Sequence, residues 1–146
     1  MKRILLLLIV LSTLNLYAEE IAPQSFSLPQ LDGGTFDLDS VLGKKIILIN
    51  FWATWCKECV EEIPQLIALQ KSVKPDDAVF LGIAIGDKKS IALKFKKRTK
   101  YPYTVLLDAN RAVAKKYNVL GLPVTIVISK DGKKITYRGS LPPKKL

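Results

Sequence analysis

Hydrophobic and polar positions along this chain follow two periods, one typical of β-strands and one typical of α-helices. Residues 45–51 and 78–86 are nearly continuous apolar runs, which predict strands buried on both faces. Between them, residues 57–72 carry apolar side chains at helical spacing. Pro64 lies inside this stretch, and because proline removes a backbone donor we expect a kink there.

The second half of the chain continues this alternation. The pattern predicts a helix over 88–99, a strand over 103–107, a short helix over 109–117 and two strands over 124–129 and 134–137. The last two strands are joined by Lys130-Asp131-Gly132, a hairpin turn. Strands that alternate with helices indicate an α/β fold with helices on both faces of the sheet, and the terminal hairpin makes that sheet mixed.

A shorter pattern precedes this core. Residues 26–28 and 35–38 have the character of two short strands around Asp32-Gly33-Gly34, which predicts an N-terminal β-hairpin. With 146 residues the chain fits one domain, which we place at residues 19–146.

Residues 1–18 have the composition of an export signal. A basic start at Lys2 and Arg3 precedes an apolar run and the small residue Ala18, after which we expect cleavage. Leu16 fits poorly at the third position before that cut, so an uncleaved N-terminal membrane anchor stays open. The sequence thus predicts an exported protein, in the periplasm or at the outer face of the cytoplasmic membrane.

The chain is strongly basic, with a net charge of +10 that falls to +8 without Lys2 and Arg3. Much of this charge lies in residues 88–100, where lysines are interleaved with Ile91 and Phe95 rather than with a base-stacking pattern. We therefore expect no nucleic acid partner and interpret the segment as a solvated helix face. Docking on an anionic membrane surface or an acidic partner stays open.

Two cysteines and no histidine occur in the sequence. Cys56 and Cys59 lie where a predicted buried strand ends and a predicted helix begins. Backbone N–H groups at a helix start stabilise a thiolate, the reactive form of cysteine, so Cys56 is the predicted nucleophile. Cys59 lies one helical turn later on the same face and is the predicted resolving thiol, which attacks the mixed disulfide to release the partner.

A metal site is the alternative for a cysteine pair with this spacing. A closed zinc site needs four ligands, and the chain has no third cysteine and no histidine. Carboxylates or a site shared between two chains could supply the remaining ligands, and an incidental cysteine pair also stays open. We predict neither a metal nor another cofactor.

The run from Ile49 to Cys59, Ile-Asn-Phe-Trp-Ala-Thr-Trp-Cys-Lys-Glu-Cys, closely resembles the strand and active-site motif of the thioredoxin superfamily, in particular its exported TlpA/ResA-type branch. The resemblance covers residues 22–139 and implies a thioredoxin-like mixed β-sheet flanked by helices, with an extra N-terminal β-hairpin. It also implies thiol-disulfide oxidoreductase activity. Pro64 lies where that family kinks its first helix.

The resemblance implies further site residues. Glu62 corresponds to a glutamate that this branch keeps three residues after its second cysteine; if buried, it could trade protons with the cysteines, and a solvated helix charge is the alternative. Residues 121–125, Gly-Leu-Pro-Val-Thr, resemble the segment that carries the superfamily's cis-proline, with an ordinary trans proline as the alternative. Trp55, Leu122 and Pro123 are then expected to contact the incoming peptide.

Within that branch, the implied role is the reduction of disulfides in exported proteins such as apocytochrome c during cytochrome c maturation. Electrons would then return from a membrane thiol reductant. A general oxidant or isomerase uses the same chemistry, and a non-catalytic module that binds a metal or a partner uses the same fold, so both alternatives stay open.

Two features depart from the superfamily pattern. Asn50 occupies the place of a buried aspartate in cytosolic thioredoxins, so proton transfer by that route is expected to be absent. The usual C-terminal helix is expected to be missing or shortened, because Pro142 and Pro143 do not fit a helix interior. One face of the sheet is then partly uncovered unless the earlier helices cover it.

Overall fold

The computed structural model describes residues 22–133 and 135–139 of the chain. The predicted export signal or anchor at residues 1–18 and the predicted loss of the last helix at residues 140–146 lie outside these residues. The strands are β1 (Ser27–Pro29), β2 (Thr35–Asp37), β3 (Ile46–Trp52), β4 (Ala78–Ile85), β5 (Thr104–Asp108), β6 (Val124–Ile128) and β7 (Ile135–Arg138). The helices are α1 (Lys57–Glu61), α2 (Ile63–Ser72), α3 (Lys89–Thr99) and α4 (Ala112–Lys116), and Leu38–Ser40 forms a 3-10 turn.

The main sheet is mixed, with the strand order β5-β4-β3-β6-β7. Strands β3, β4 and β5 are parallel, whereas β6 runs antiparallel to β3 and β7 runs antiparallel to β6. Strands β1 and β2 form a separate antiparallel hairpin. The predictions of a mixed sheet and of an N-terminal hairpin are confirmed.

Strand β3 is buried along almost its whole length because both faces of the sheet are covered. On one face, Leu48 and Trp52 pack with residues of α1, α2 and α3; we call this cluster the front core. On the other face, Ile47, Ile49 and Phe51 pack with α4, the 3-10 turn and the hairpin, which together form the back core. The helices predicted to flank both faces of the sheet are therefore present.

The front face of the sheet is covered at β6 as well. Thr125 is fully buried there, and Val127 is partly buried against the front core. The front core therefore extends to β6.

The helix after the cysteines is broken at Glu62, with α1 ending and α2 beginning on either side of that residue. Pro64 has no backbone N–H to donate to the Val60 carbonyl. The backbone N–H of Glu62 faces that carbonyl and the carbonyl of Glu58. The predicted kink is confirmed. It leaves Glu62 in the interior, whereas Val60 is 39% exposed.

Helix α3 carries much of the basic segment. Ala92 and Phe95 are buried in the front core, while Lys89, Lys94 and Lys97 are exposed to solvent. The interpretation of this segment as a solvated helix face agrees with that arrangement. None of the helices within residues 22–133 and 135–139 is both long and apolar enough to cross a membrane.

Candidate active site at the end of strand β3

Cys56 and Cys59 are joined by a disulfide bond at the start of α1, with an S–S distance of 2.10 Å and a Cα–Cα distance of 5.3 Å. Cys56 is the N-cap residue of α1, and its sulfur accepts a hydrogen bond from the backbone N–H of Cys59 at 3.1 Å. Cys56 is 4% exposed and Cys59 is 1% exposed. Cys56 is therefore the more accessible of the two, and its sulfur faces a backbone donor that favours a thiolate.

The turn between β3 and α1 is held by Asp87, which follows β4. The backbone N–H and the hydroxyl of Thr54 donate to the two Asp87 carboxylate oxygens at 2.8 and 2.7 Å. Asp87 is buried, so these charge-assisted bonds anchor the turn from inside the protein. Asp87 was not predicted from the sequence. The available signal was an acidic residue just after a buried strand, at the sheet edge where β3 and β4 both end.

Glu62 lies in the interior rather than on the solvated face of the helix, and it is 3% exposed. Its Oε1 accepts a hydrogen bond from Asn50 Nδ2 at 2.7 Å, while its Oε2 has no hydrogen-bond partner among the described residues. Burial raises the pKa of Glu62 to about 7, and the hydrogen bond from Asn50 opposes part of that rise. A carboxyl group with this pKa can take up and release a proton near neutral pH.

Asn50, in the middle of β3, connects Glu62 to two other buried side chains. Its Oδ1 accepts a hydrogen bond from the Tyr101 hydroxyl at 2.6 Å, and its Nδ2 also donates to Thr125 Oγ1 at 3.1 Å. Burial raises the pKa of Tyr101 well above its usual range, so the hydroxyl stays protonated and donates. Because Tyr101 occupies the amide oxygen of Asn50, the NH₂ group faces Glu62.

Trp55 and Leu122 line one surface groove, and Pro123, which follows Leu122, is buried. Trp55 is 67% exposed, and the Leu122-Pro123 peptide bond is cis. Leu122 packs against the front core, which contains both cysteines, and it lines the same groove of about 430 Å³ as Trp55. The structure therefore places Trp55, the neighbour of Cys56 in sequence, and Leu122 on one groove, with Pro123 directly after Leu122.

Within residues 22–133 and 135–139, no group of three or more His, Cys, Asp or Glu side chains could hold a metal ion. The site offers instead a dithiol/disulfide couple, a backbone donor at the first sulfur and a buried carboxyl group three residues after the second. Such a couple can exchange two electrons and two protons with another disulfide.

Comparison with known proteins shows several relatives. The sequence pattern of the AhpC/TSA family matches residues 19–138. The thiol-disulfide oxidoreductase ResA of Bacillus subtilis (strain 168) is 32% identical over 109 residues, which cover 75% of this chain and 60% of that protein. The protein of the same name from Geobacillus thermodenitrificans (strain NG80-2) is 31% identical over 143 residues, which cover 90% of this chain and 82% of that protein. The chain spans about three-fifths of the length of several ResA relatives that it matches.

A similar fold occurs in a solved structure. A secreted disulfide oxidoreductase of Mycobacterium tuberculosis, described as homologous to E. coli DsbE, superimposes with a TM-score of 0.70 at 28% sequence identity. The match covers 83% of this chain and 87% of that chain. The prediction of a thioredoxin-like fold is confirmed.

Proposed function

Because this chain belongs to the AhpC/TSA family, we propose that it is a thiol-disulfide oxidoreductase whose Cys56 and Cys59 exchange electrons with protein disulfides. One observation carries the proposal: the two cysteines form a disulfide at the start of α1, where the first sulfur accepts a backbone hydrogen bond. The names of the ResA relatives support the same reaction.

The first step of exchange begins with both cysteines reduced. Cys56 loses its proton, and its thiolate, stabilised by the N–H of Cys59, attacks one sulfur of a partner disulfide. A new S–S bond joins Cys56 to the partner. The partner's other sulfur leaves as a thiolate and takes up a proton.

In the second step, Cys59 attacks the sulfur of Cys56. The bond between Cys56 and the partner breaks, the Cys56–Cys59 disulfide forms, and the partner leaves with its second thiol. Two electrons and two protons have then passed from this chain to the partner. A second dithiol must reduce the chain again, and the same steps in reverse oxidise a partner.

Glu62 is our proposed proton acceptor for Cys59 in that second step. It lies three residues after Cys59 at the helix break, and its carboxyl group is buried with a pKa of about 7. Trp55, Leu122 and Pro123 are the proposed contacts of the incoming peptide, because Trp55 adjoins Cys56 and lines one groove with Leu122, which Pro123 follows.

We further propose that the chain acts as a reductant of exported proteins, with apocytochrome c as substrate during cytochrome c maturation and a membrane thiol reductant as electron donor. This role rests on the resemblance to the TlpA/ResA-type branch and on the signal-like residues 1–18. A reduction potential near or below about −270 mV supports this direction, whereas a value near about −120 mV favours an oxidant.

Replacement of the resolving cysteine tests the exchange mechanism. Cys59→Ser leaves Cys56 able to attack but removes the thiol that releases the partner, so mixed disulfides should accumulate in the producing cell. Non-reducing electrophoresis followed by mass spectrometry should identify the trapped partner and show that it is attached through Cys56.

The matched control is Cys56→Ser, which keeps Cys59 but removes the predicted nucleophile and should trap little or nothing. If folded, exported Cys59→Ser yields no covalent complex, or if both variants trap the same partners equally, the assigned roles of the two cysteines are wrong.

A further inference from the structure

A groove of about 430 Å³ opens beside the disulfide, between α4 and the segment that leads into β6. Trp55, the neighbour of Cys56 in sequence, lines it together with Leu120 and Leu122. We call it the Trp55–Leu120 groove. Because Trp55 adjoins Cys56, a polypeptide joined to Cys56 through a disulfide has the groove within reach.

The apolar part of this groove is unusually exposed. Leu120 is 91% exposed and Trp55 is 67% exposed, whereas most large apolar side chains of the described residues are buried in the two cores. Adjacent exposed apolar side chains in a concave surface are typical of a binding site. An apolar side chain of a partner would bury both of them.

The polar part of the groove carries positive charge. Arg111, the N-cap residue of α4, and Lys115, in its last turn, line the groove together with two asparagines, and none of its lining residues in the described part of the chain is acidic. Asp108 lies beneath the same helix, but its two carboxylate oxygens accept the backbone N–H groups of Val113 and Ala114 at 3.2 and 2.8 Å. The side chain of Asp108 is thus bound to the backbone of α4 and does not line the groove.

Arg111 is held in place by the backbone around it. Its φ of 61° is in the left-handed region, which a non-glycine residue adopts only where the surroundings impose it. Its side chain lies across Gly86, where a Cβ would come within 2.9 Å of Arg111 Nε. The side chain of Arg111 is exposed, and its guanidinium group lies against the end of β4.

We propose that the Trp55–Leu120 groove selects protein substrates in which the disulfide is flanked by a large apolar side chain and an acidic side chain. The apolar side chain packs between Trp55 and Leu120, and the carboxylate binds Arg111 and Lys115. This inference rests on the proposed oxidoreductase function, since the groove acts on whatever segment Cys56 attacks. In each turnover the Cys56–Cys59 dithiol gives two electrons and two protons to the partner disulfide and becomes a disulfide.

Charge complementarity favours an acidic peptide segment over a second copy of this chain as the occupant of the groove. The two cations and the adjacent apolar side chains of the groove complement an acidic polypeptide that carries an apolar side chain. A second copy of this chain carries the same two cations and would be repelled. An extended peptide also reaches Cys56 and the groove at the same time.

Matched peptides test this selectivity. Each peptide carries a disulfide between two cysteines, a neighbouring leucine and a single test position occupied by Glu, Gln or Lys. We expect the reduced full chain to reduce the Glu peptide about 3- to 10-fold faster than the Lys peptide at low salt, from two exposed ion pairs, with the ratio falling in concentrated NaCl. Replacement of the peptide leucine by serine should slow the reaction as well.

The variant R111Q/K115Q should reduce the Glu and Lys peptides at rates within about twofold of each other, because both groove cations are gone. The control variant K94Q/K97Q removes the same charge from exposed positions on α3 and should keep the wild-type ratio. This pair separates a local effect from the effect of net charge.

Hydroxyethyl disulfide is a small neutral substrate, so its reduction distinguishes failure of the groove inference from failure of the oxidoreductase proposal. If the wild-type chain reduces it but treats the Glu and Lys peptides alike, or if R111Q/K115Q keeps the preference, the groove inference is overturned and the oxidoreductase proposal stands. If the chain reduces neither kind of disulfide, both fail. Vesicles of anionic phosphatidylglycerol that bind wild type but not R111Q/K115Q, without peptide selectivity, would assign the groove to a lipid surface instead.

Discussion

Glu62 is a carboxyl group held where ionisation is unfavourable. Burial raises its pKa from 4.5 to about 7, so the folded chain binds more protons than the unfolded chain between those pH values. Stability contributed by the neutral carboxyl group is present below about pH 4.5 and is lost as pH rises through about 7. The raised pKa on which the proposed proton exchange by Glu62 depends therefore also destabilises the oxidised protein above neutral pH.

Glu62→Gln should remove this penalty. The amide keeps the oxygen that accepts from Asn50 but never ionises, so we expect the variant to be about 1 to 3 kcal/mol more stable than wild type at pH 8, and no more stable at pH 4.5. Urea unfolding of the oxidised proteins at both pH values measures the difference.

Glu61→Gln is the matched control, because Glu61 lies next in sequence but is exposed in an ion pair with Lys57 at 3.6 Å. Its stability should stay within about 0.5 kcal/mol of wild type at both pH values. Equal effects of the two variants would contradict a buried, perturbed carboxyl group at Glu62.

Residue spacing indicated the two cysteines at the helix start, and the family resemblance added Glu62, Leu122 and Pro123, but neither indicated Asp87 or Tyr101. Cys56, Cys59 and Glu62 share one helix start, whose period and kink are visible in the residue pattern. Asp87 and Tyr101 join the site through hydrogen bonds that span 33 and 51 residues. Such contacts depend on strand order, which no local pattern specifies.

At the scale of elements, the helix break explains both a success and an error of the residue pattern. Pro64 predicted a kink, and the helix is broken at Glu62. The pattern placed Val60 on the same apolar face as Ile63 and Leu66, yet Val60 is exposed while the other two are buried. A break between two short helices changes the direction of the buried face, so a single helical period cannot hold across it.

The ring of Tyr101 packs closely against strand β4, and this contact is possible because residue 82 is a glycine. Gly82 pairs with Asn50 across the sheet, and a Cβ added to it would lie 2.6 Å from the Tyr101 hydroxyl oxygen. Gly82→Ala should therefore displace the tyrosine that orients Asn50 and destabilise the protein by about 1 to 3 kcal/mol. Urea unfolding gives the loss, and near-UV circular dichroism reports the displaced ring.

Gly121→Ala provides the comparison, since a Cβ at Gly121 meets no atom within 4 Å. We expect its stability to change by less than about 0.5 kcal/mol. A Gly82→Ala protein as stable as Gly121→Ala would show that the space around Tyr101 is not tightly filled.

At the scale of the whole molecule, the front core and the back core share one sheet, so neither can unfold without exposing the other side of the same strands. The hairpin belongs to this unit. Leu28 is buried in the back core, and the backbone N–H of Leu31 donates to the Val105 carbonyl of β5 at 2.8 Å. The sequence predicted the hairpin from its turn residues but gave no sign of where it docks, because docking depends on a surface built by distant strands.

Leu28→Ala should lower the stability of the entire domain by about 2 to 4 kcal/mol in one cooperative transition. Tryptophan fluorescence and far-UV circular dichroism should give the same urea midpoint, because Trp52 lies in the front core on the opposite face of the sheet. Leu120→Ala makes the same chemical change at a side chain that is 91% exposed and should alter stability by less than about 0.5 kcal/mol. Two separate transitions in Leu28→Ala would mean that the hairpin and back core unfold independently.

The burial of both cysteines limits which molecules can reach their sulfurs. Two copies of this chain colliding in solution each present a cysteine that is at most 4% exposed, behind a projecting tryptophan, so their sulfurs cannot approach to bonding distance without rearrangement. Oxidised and reduced copies should therefore equilibrate slowly with each other. Under the proposed function, fast thiol-disulfide exchange is expected only with molecules that carry their sulfur on a protruding strand or loop.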